Sequence, residues 1–135
     1  MEAPSQSIRV LARRLLALEA ARQSATDARV HEAVEVCEKL RVTLTRFAGA
    51  DGFTALLRRA LALARAEVPA AHSIQVKAEG CLDGLEEFLA EAGNVGVDAA
   101  VAITAHLLGL LVTLIGEPLT LRLVREAWPD ASLDE

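Results

Sequence analysis

A chain of 135 residues fits one domain and can bury a full core without a metal or a disulfide, so we expect one domain over residues 1–135. Apolar residues make up 53% of the chain, which excludes intrinsic disorder. The net charge of −5 combines +4 in residues 1–66, with eleven basic and seven acidic side chains, and −9 in residues 67–135, with three and twelve. The basic half lacks the aromatic and glycine-rich pattern of nucleic-acid binding, so we expect no nucleic-acid partner.

Cysteine usage indicates the cellular compartment of the protein, and the bias in amino-acid usage indicates the kind of genome that encodes it. No basic and then apolar signal opens the sequence, so Cys37 and Cys81 are expected to be reduced thiols in a cytoplasm. Arginine outnumbers lysine twelve to two and alanine is abundant, which is typical of a GC-rich bacterial genome. The sequence therefore predicts a bacterial, cytoplasmic protein.

The first half of the chain predicts helices over 7–22, 27–48 and 51–67, because apolar residues recur there at steps of three and four. Gly49 and Asp51 are the expected C-cap and N-cap of a loop between the second and third helices. Pro69 ends the third. The side chains expected to face the core are Ile8, Leu11, Leu15, Leu18, Val30, Ala33, Cys37, Leu40, Leu44, Phe47, Phe53, Leu56, Leu57, Ala60 and Ala64.

The segment 72–78 has the alternating polarity of a half-buried strand. No second strand-like run is apparent, and a single strand leaves its backbone groups unpaired. The segment is therefore either an extended connector or an edge that pairs with the same segment of a second copy. The second alternative predicts a homodimer with an interface at Ile74, Gln75, Val76 and Lys77.

Three more helices are predicted in the second half. A short one over 83–92 ends at Gly93, a central one runs from the cap Asp98 to Gly116, and the last begins at Glu117 and stops before Pro129. The fold class expected is all-α, a bundle of five or six helices around the buried hydrophobic helix at about 98–116. One short extended segment lies at about 72–78.

Residues 99–116 are an uncharged run of eighteen, and a helix that is apolar on nearly all sides must be buried in protein or in lipid. Acidic flanks and edges without tryptophan or tyrosine favour protein, although the run is just long enough to span a membrane. Small or mildly polar residues share one face, which predicts close contact with another helix. They are Ala99, Ala102, His106, Gly109, Thr113 and Gly116.

His106 is the strongest candidate for a functional residue, since it is the one strongly polar side chain in the central helix. It marks either a ligand pocket with Gly109 and Thr113 or a core histidine with a hydrogen-bond partner, and the second is the more common case. No metal site is expected: a zinc motif at His31 would need a second histidine where Glu35 stands. No cofactor is expected either, since phosphate-binding loops are absent.

Cys81 precedes a helix, whose positive end lowers a thiol pKa, but the acidic residues around it act the other way. The acidic group Asp83, Glu86, Glu87 and Glu91 lacks the loop geometry of a calcium site and is expected to form a solvated face. The sequence therefore offers no catalytic residue.

The runs GEPLTLRLVREAWPD and RALALARAEVP resemble a group of small, functionally uncharacterised bacterial helical proteins over residues 40 to 130. No catalytic motif comes with the resemblance, so it implies a bacterial cytoplasmic origin and no site residue. Two functions and a lesser alternative remain open. The first is a non-catalytic interaction or adaptor module that binds a protein partner or itself. The alternative is a small-ligand sensor or enzyme with a pocket near His106, and a lesser alternative is membrane association through 99–116.

Overall fold

The computed structural model describes residues 6–22, 28–77 and 82–129; for 20–22, 28–34, 86, 89, 90 and 92 it describes only the helical backbone. The described residues are mostly helical, which confirms the all-α class. The helices are α1 (Gln6–Arg22), α2 (Ala28–Glu67), α3 (Leu85–Ala92), α4 (Asn94–Ile115) and α5 (Glu117–Ala127). A 3-10 turn covers Pro69–Ser73, and two short strands are β1 (Gln75–Val76) and β2 (Leu82–Asp83).

The segments predicted as helices over 27–48 and 51–67 are two helical runs of α2 that meet at a kink. Gly49, with φ 84° and ψ 161°, is the non-helical residue between them, so the predicted break is confirmed there but is shorter than the expected loop. Within the described residues the two runs form one element, and the count of five or six separate helices stays a prediction. Phe47, expected in the core, is 46% exposed because it lies in the last turn before the kink.

The hairpin of β1 and β2 corrects the interpretation of residues 72–78. The two strands pair antiparallel, with Gln75 opposite Asp83 and Val76 opposite Leu82, so the prediction that the chain offers no partner strand is wrong. A two-residue partner is too short to show an alternating pattern. The predicted alternation is confirmed, since Ile74 is buried, Val76 is half-buried, and Gln75 and Lys77 are exposed.

Gly84 closes this hairpin against the 3-10 turn. Its φ is +85°, and a Cβ there would lie 3.2 Å from the carbonyl oxygen of Ser73. Both the left-handed backbone and the close approach favour glycine. The hairpin therefore lies close against the end of the 3-10 turn that follows α2.

The central helix α4 begins one turn before the predicted cap. Gly93, with φ 61°, ends α3 as expected and also serves as the N-cap of α4, so Asp98 lies within the helix and is exposed. Its buried residues run from Gly96 to Leu111, packed against α1, α2, α3 and α5, whereas Leu114 near its C-terminus is 65% exposed. Burial of the predicted hydrophobic helix is thus confirmed for all but its last turn.

Length and composition would let α4 cross a membrane, and it is the one helix among the described residues for which this holds. Two-thirds of its most apolar stretch is buried against the rest of the chain, as in the core helix of a globular domain. Glu117 and Pro118 begin α5 as predicted, and Trp128 closes its apolar face in the core.

The remaining inward-facing predictions agree with the structure wherever the side chains are described. Those of α1 and the second half of α2 join one core with α4, either fully buried or packed against it. Val30, Ala33, Cys81 and the acidic tail lie outside the described side chains.

Candidate functional site

His106 is a buried residue of α4 whose ring reaches the end of α2. Its side chain is 5% exposed, and its Nε2 lies 2.9 Å from Oε2 of Glu67. Glu67 is the last residue of α2, because Pro69 two residues on cannot continue the helix. His106 therefore has the hydrogen-bond partner that a core histidine requires.

Arg9 of α1 donates from Nη2 to the same Oε2 of Glu67. Three helices thus meet at one carboxylate oxygen, and we call these residues, Arg9, Glu67 and His106, the Glu67 cluster. The Glu67 and Arg9 side chains are 32% and 21% exposed. The cluster therefore runs from a buried imidazole to the solvent.

Burial raises the pKa of the Glu67 carboxyl, but hydrogen bonds from Arg9 and His106 and attraction to their positive charge together lower it below the ordinary value of 4.5. Glu67 is consequently ionised at neutral pH. An ionised carboxylate only accepts hydrogen bonds, so the hydrogen that His106 donates must be on Nε2. The tautomer of a neutral His106 is thereby fixed.

This geometry bears on catalysis by His106. The ring nitrogen farther from the helix backbone is Nε2, and the carboxylate of Glu67 occupies it. A general base must reach the proton it removes, directly or through one water. In this arrangement Nε2 is held as a donor, so a general base at His106 would have to be Nδ1.

A second carboxylate, Glu19 of α1, forms a deeper cluster at the other end of that helix. Trp128 Nε1 donates to Glu19 Oε2 at 2.7 Å, and Lys39 Nζ of α2 donates to the same oxygen. The Lys39 ammonium also lies 5.7 Å from the centroid of the Trp128 ring, within range of a cation–π contact. The Glu19 side chain is only 3% exposed. We call these three residues the Glu19 cluster.

The other residues of the predicted ligand pocket follow His106 along α4 toward the solvent. Gly109 is half-buried, and Thr113 is exposed and donates from its hydroxyl to the Gly109 carbonyl at 3.1 Å. The three share a face but do not converge on one point. A pocket at His106, Gly109 and Thr113 stays a prediction.

The structure adds little support for the weaker candidate sites. Asp83 lies 3.8 Å from Lys77 across the hairpin, and Glu87 and Glu91 are exposed. The side chains of His31 and Glu86 and the whole of Cys81 are outside the described part. Within 6–22, 28–77 and 82–129 no group of three or more histidine, cysteine, aspartate or glutamate side chains could hold a metal ion.

The two carboxylates at the centres of the clusters were not recognised from the sequence. Both carried a signal, since Glu19 follows Leu15 by four residues and Glu67 follows Ala64 by three, so each continues a buried stripe. A carboxylate on such a stripe requires a partner. The partners themselves could not be found this way, because His106 is 39 residues from Glu67 and Trp128 is 109 residues from Glu19.

No protein-family model matches the chain, and searches of curated proteins and of solved structures also give no match. The resemblance to small bacterial helical proteins, and the origin that it implies, stay predictions.

Proposed function

We propose that the protein is a cytoplasmic, non-catalytic interaction module that self-associates. The polar side chains of the two clusters bind one another. His106 and Arg9 bind Glu67, and Lys39 and Trp128 bind Glu19. Among the described residues, the one buried side-chain nitrogen or oxygen without a hydrogen bond is Nε of Arg65, whose Nη2 donates to the Ile74 carbonyl.

The observation that carries this proposal is the exposed Phe47 at the kink of α2. Every residue from 46 to 51 is exposed, whereas the other described aromatic side chains, Phe53, Phe88 and Trp128, are in the core. An exposed aromatic residue beside small neighbours is suited to contact with another protein, since aromatic side chains are enriched at interface centres.

A second copy is the partner that we favour, because the chain is basic in residues 1–66 and acidic in residues 67–135. Opposite charges on two halves let two copies approach in a complementary orientation. The earlier interface at residues 74–77 is less suited, since Ile74 is fully buried in its own chain and β1 already has a partner strand.

Sedimentation velocity over a concentration series tests self-association. We expect the wild type to form dimers and Phe47→Ser to weaken them at least tenfold in Kd, about 1.4 kcal/mol. Val10→Ser removes another exposed apolar side chain, on α1, and is the matched control, which should dimerise like the wild type. A wild type that stays monomeric at the highest concentration, or equal losses in both variants, contradicts the proposal.

A small-ligand sensor is the second candidate, and the Glu67 cluster favours it. Two donors from different helices meet a partly exposed carboxylate there, so the cluster is reachable from solvent. The carboxylate of Glu19, which is 3% exposed, has no such access.

A further inference from the structure

Arg9 and His106 are arranged as the two donors of an anion site. Nη2 of Arg9 and Nε2 of His106 come from α1 and α4, and both donate to Oε2 of Glu67, which α2 supplies. A cationic guanidinium and an imidazole on one carboxylate oxygen make charge-assisted hydrogen bonds, the strong class of such bonds. What they bind in this structure is a side chain of their own protein.

Glu67 is well placed to leave these donors. It is the final residue of α2, and the chain turns away at Val68, whose φ of −127° is no longer helical. Its carboxylate is already partly in solvent, so a rotation of the side chain would place it fully in water. The departed carboxylate would leave a space of its own size between Arg9 and His106, connected to the solvent.

We propose that Arg9 and His106 form a binding site for a small carboxylate ligand, and that Glu67 occupies this site in the free protein. We choose a carboxylate as the ligand class because it has the same negative charge and planar shape as the Glu67 carboxylate to which Arg9 and His106 donate in this structure. The ligand exchanges with Glu67 without a covalent step. The proposal concerns the Glu67 cluster alone and does not depend on self-association at Phe47.

Competition with Glu67 sets the expected affinities. A ligand that binds only when Glu67 is displaced has its affinity reduced by the fraction of molecules in the open state. Removing the competing side chain should therefore strengthen binding. We expect Glu67→Ala to bind acetate ~10-fold or more tightly than the wild type does, if Glu67 is out of the site in about a tenth of molecules or fewer.

The first measurement is rescue of Glu67→Ala by sodium acetate, with sodium chloride at equal ionic strength as the reference. Acetate should raise the thermal midpoint of Glu67→Ala in a saturable way, and Arg9→Gln combined with Glu67→Ala should lose this effect. Glu38→Ala, which removes the exposed partner of Arg41, is the matched control and should show no acetate-specific rise. Should Glu67→Ala fail to fold, Glu67→Ser, which also removes the carboxylate from between the two donors, replaces it.

The second measurement uses the wild-type chain, because rescue of a variant alone could report an artificial cavity. Acetate is titrated while the imidazole nitrogen resonances of His106, assigned with His106→Gln, are followed by NMR. A saturable shift that Arg9→Gln removes supports the site. No saturable shift in the wild type, or the same shift in Arg9→Gln, overturns the proposal, whatever the dimerisation experiment gives.

Discussion

The two clusters that fix α1 to the rest of the chain use the same design at different depths. Each has a glutamate whose Oε2 accepts one cationic donor and one ring nitrogen. In the Glu19 cluster the carboxylate is buried and the ring nitrogen belongs to a fully buried tryptophan, whereas in the Glu67 cluster the carboxylate is about one-third exposed. Burial is therefore the variable that separates them.

This difference decides what each cluster can do. A buried carboxylate that loses its partner has no water to replace it, so the Glu19 cluster is bound to the stability of the fold. An exposed carboxylate exchanges its partners for water at little cost, so the Glu67 cluster can change partners without unfolding the protein. We infer a structural role for the first and a binding role for the second.

The largest expected effect follows from breaking the buried pair. Lys39→Met leaves Glu19 charged and without its cation, and we expect a loss of about 3–5 kcal/mol in the free energy of unfolding. Denaturant unfolding measures it, and Trp128, the only tryptophan of the chain, should also change its emission. Arg41→Met is the control on the same helix, since Arg41 pairs with the exposed Glu38, and it should cost no more than about 1 kcal/mol. Similar losses in the free energy of unfolding for both variants would contradict the claim that a buried carboxylate depends more on its cation than an exposed one does.

A smaller loss is expected when Glu19 keeps its cation but loses its ring donor. Trp128→Phe keeps a six-membered ring and removes Nε1, which donates to Glu19 at 2.7 Å, together with the rest of the five-membered ring. We expect at least about 1.5–3 kcal/mol, the range for a hydrogen bond to a charged group, because the smaller ring also leaves a cavity. Thermal or chemical denaturation followed by circular dichroism measures it, and a cost under about 0.5 kcal/mol would mean that water replaces the indole.

The corresponding change in the Glu67 cluster should cost less. His106→Leu removes the ring donor, but Glu67 retains Arg9 and its exposure to water, so we expect about 1 kcal/mol. The same denaturation experiment serves, with Trp128→Phe as the comparison. A loss larger than that of Trp128→Phe would make His106 the more important structural residue.

The smallest expected effect is a pH dependence that belongs to Glu67. Its pKa is lower in the folded than in the unfolded protein, so its contribution is present above the ordinary value of 4.5 and is lost as pH falls through the folded value. Wild type and Glu67→Gln should therefore differ most in stability near neutral pH and converge once the pH is below the folded pKa of Glu67. A difference that grows on acidification would contradict the sign of this shift.

Much of the fold could be predicted from the sequence, because apolar spacing is a local property. The stripe of α1 and the burial of α4 follow from it, and the cap at Gly93 follows from its glycine. The break at Gly49 could be predicted in the same way, but it is shorter than the expected loop, because the pattern cannot tell how few residues a left-handed glycine needs for a turn. The strand β2 could not be predicted, because two residues are too few to show an alternating pattern.

Of the candidate site, only His106 could be predicted from the sequence. His106 was singled out as a polar residue on an apolar helix, and the structure gives it the partner that this position requires. Arg9 and Glu67 are 58 residues apart in sequence, and nothing local relates them. Their meeting depends on how α1, α2 and α4 pack, which is a property of the whole fold.

The same substitution made in both clusters tests the comparison most directly. Glu19→Gln and Glu67→Gln each replace a carboxylate by an amide of equal size, and the free energy of unfolding of each variant is measured at neutral pH. We expect Glu19→Gln to cost at least ~1.5 kcal/mol, the value of a hydrogen bond to a charged group, and Glu67→Gln to cost less than ~1 kcal/mol, the value of an exposed ion pair. Equal costs, or a greater cost for Glu67→Gln, would contradict the account that burial divides a structural cluster from a binding one.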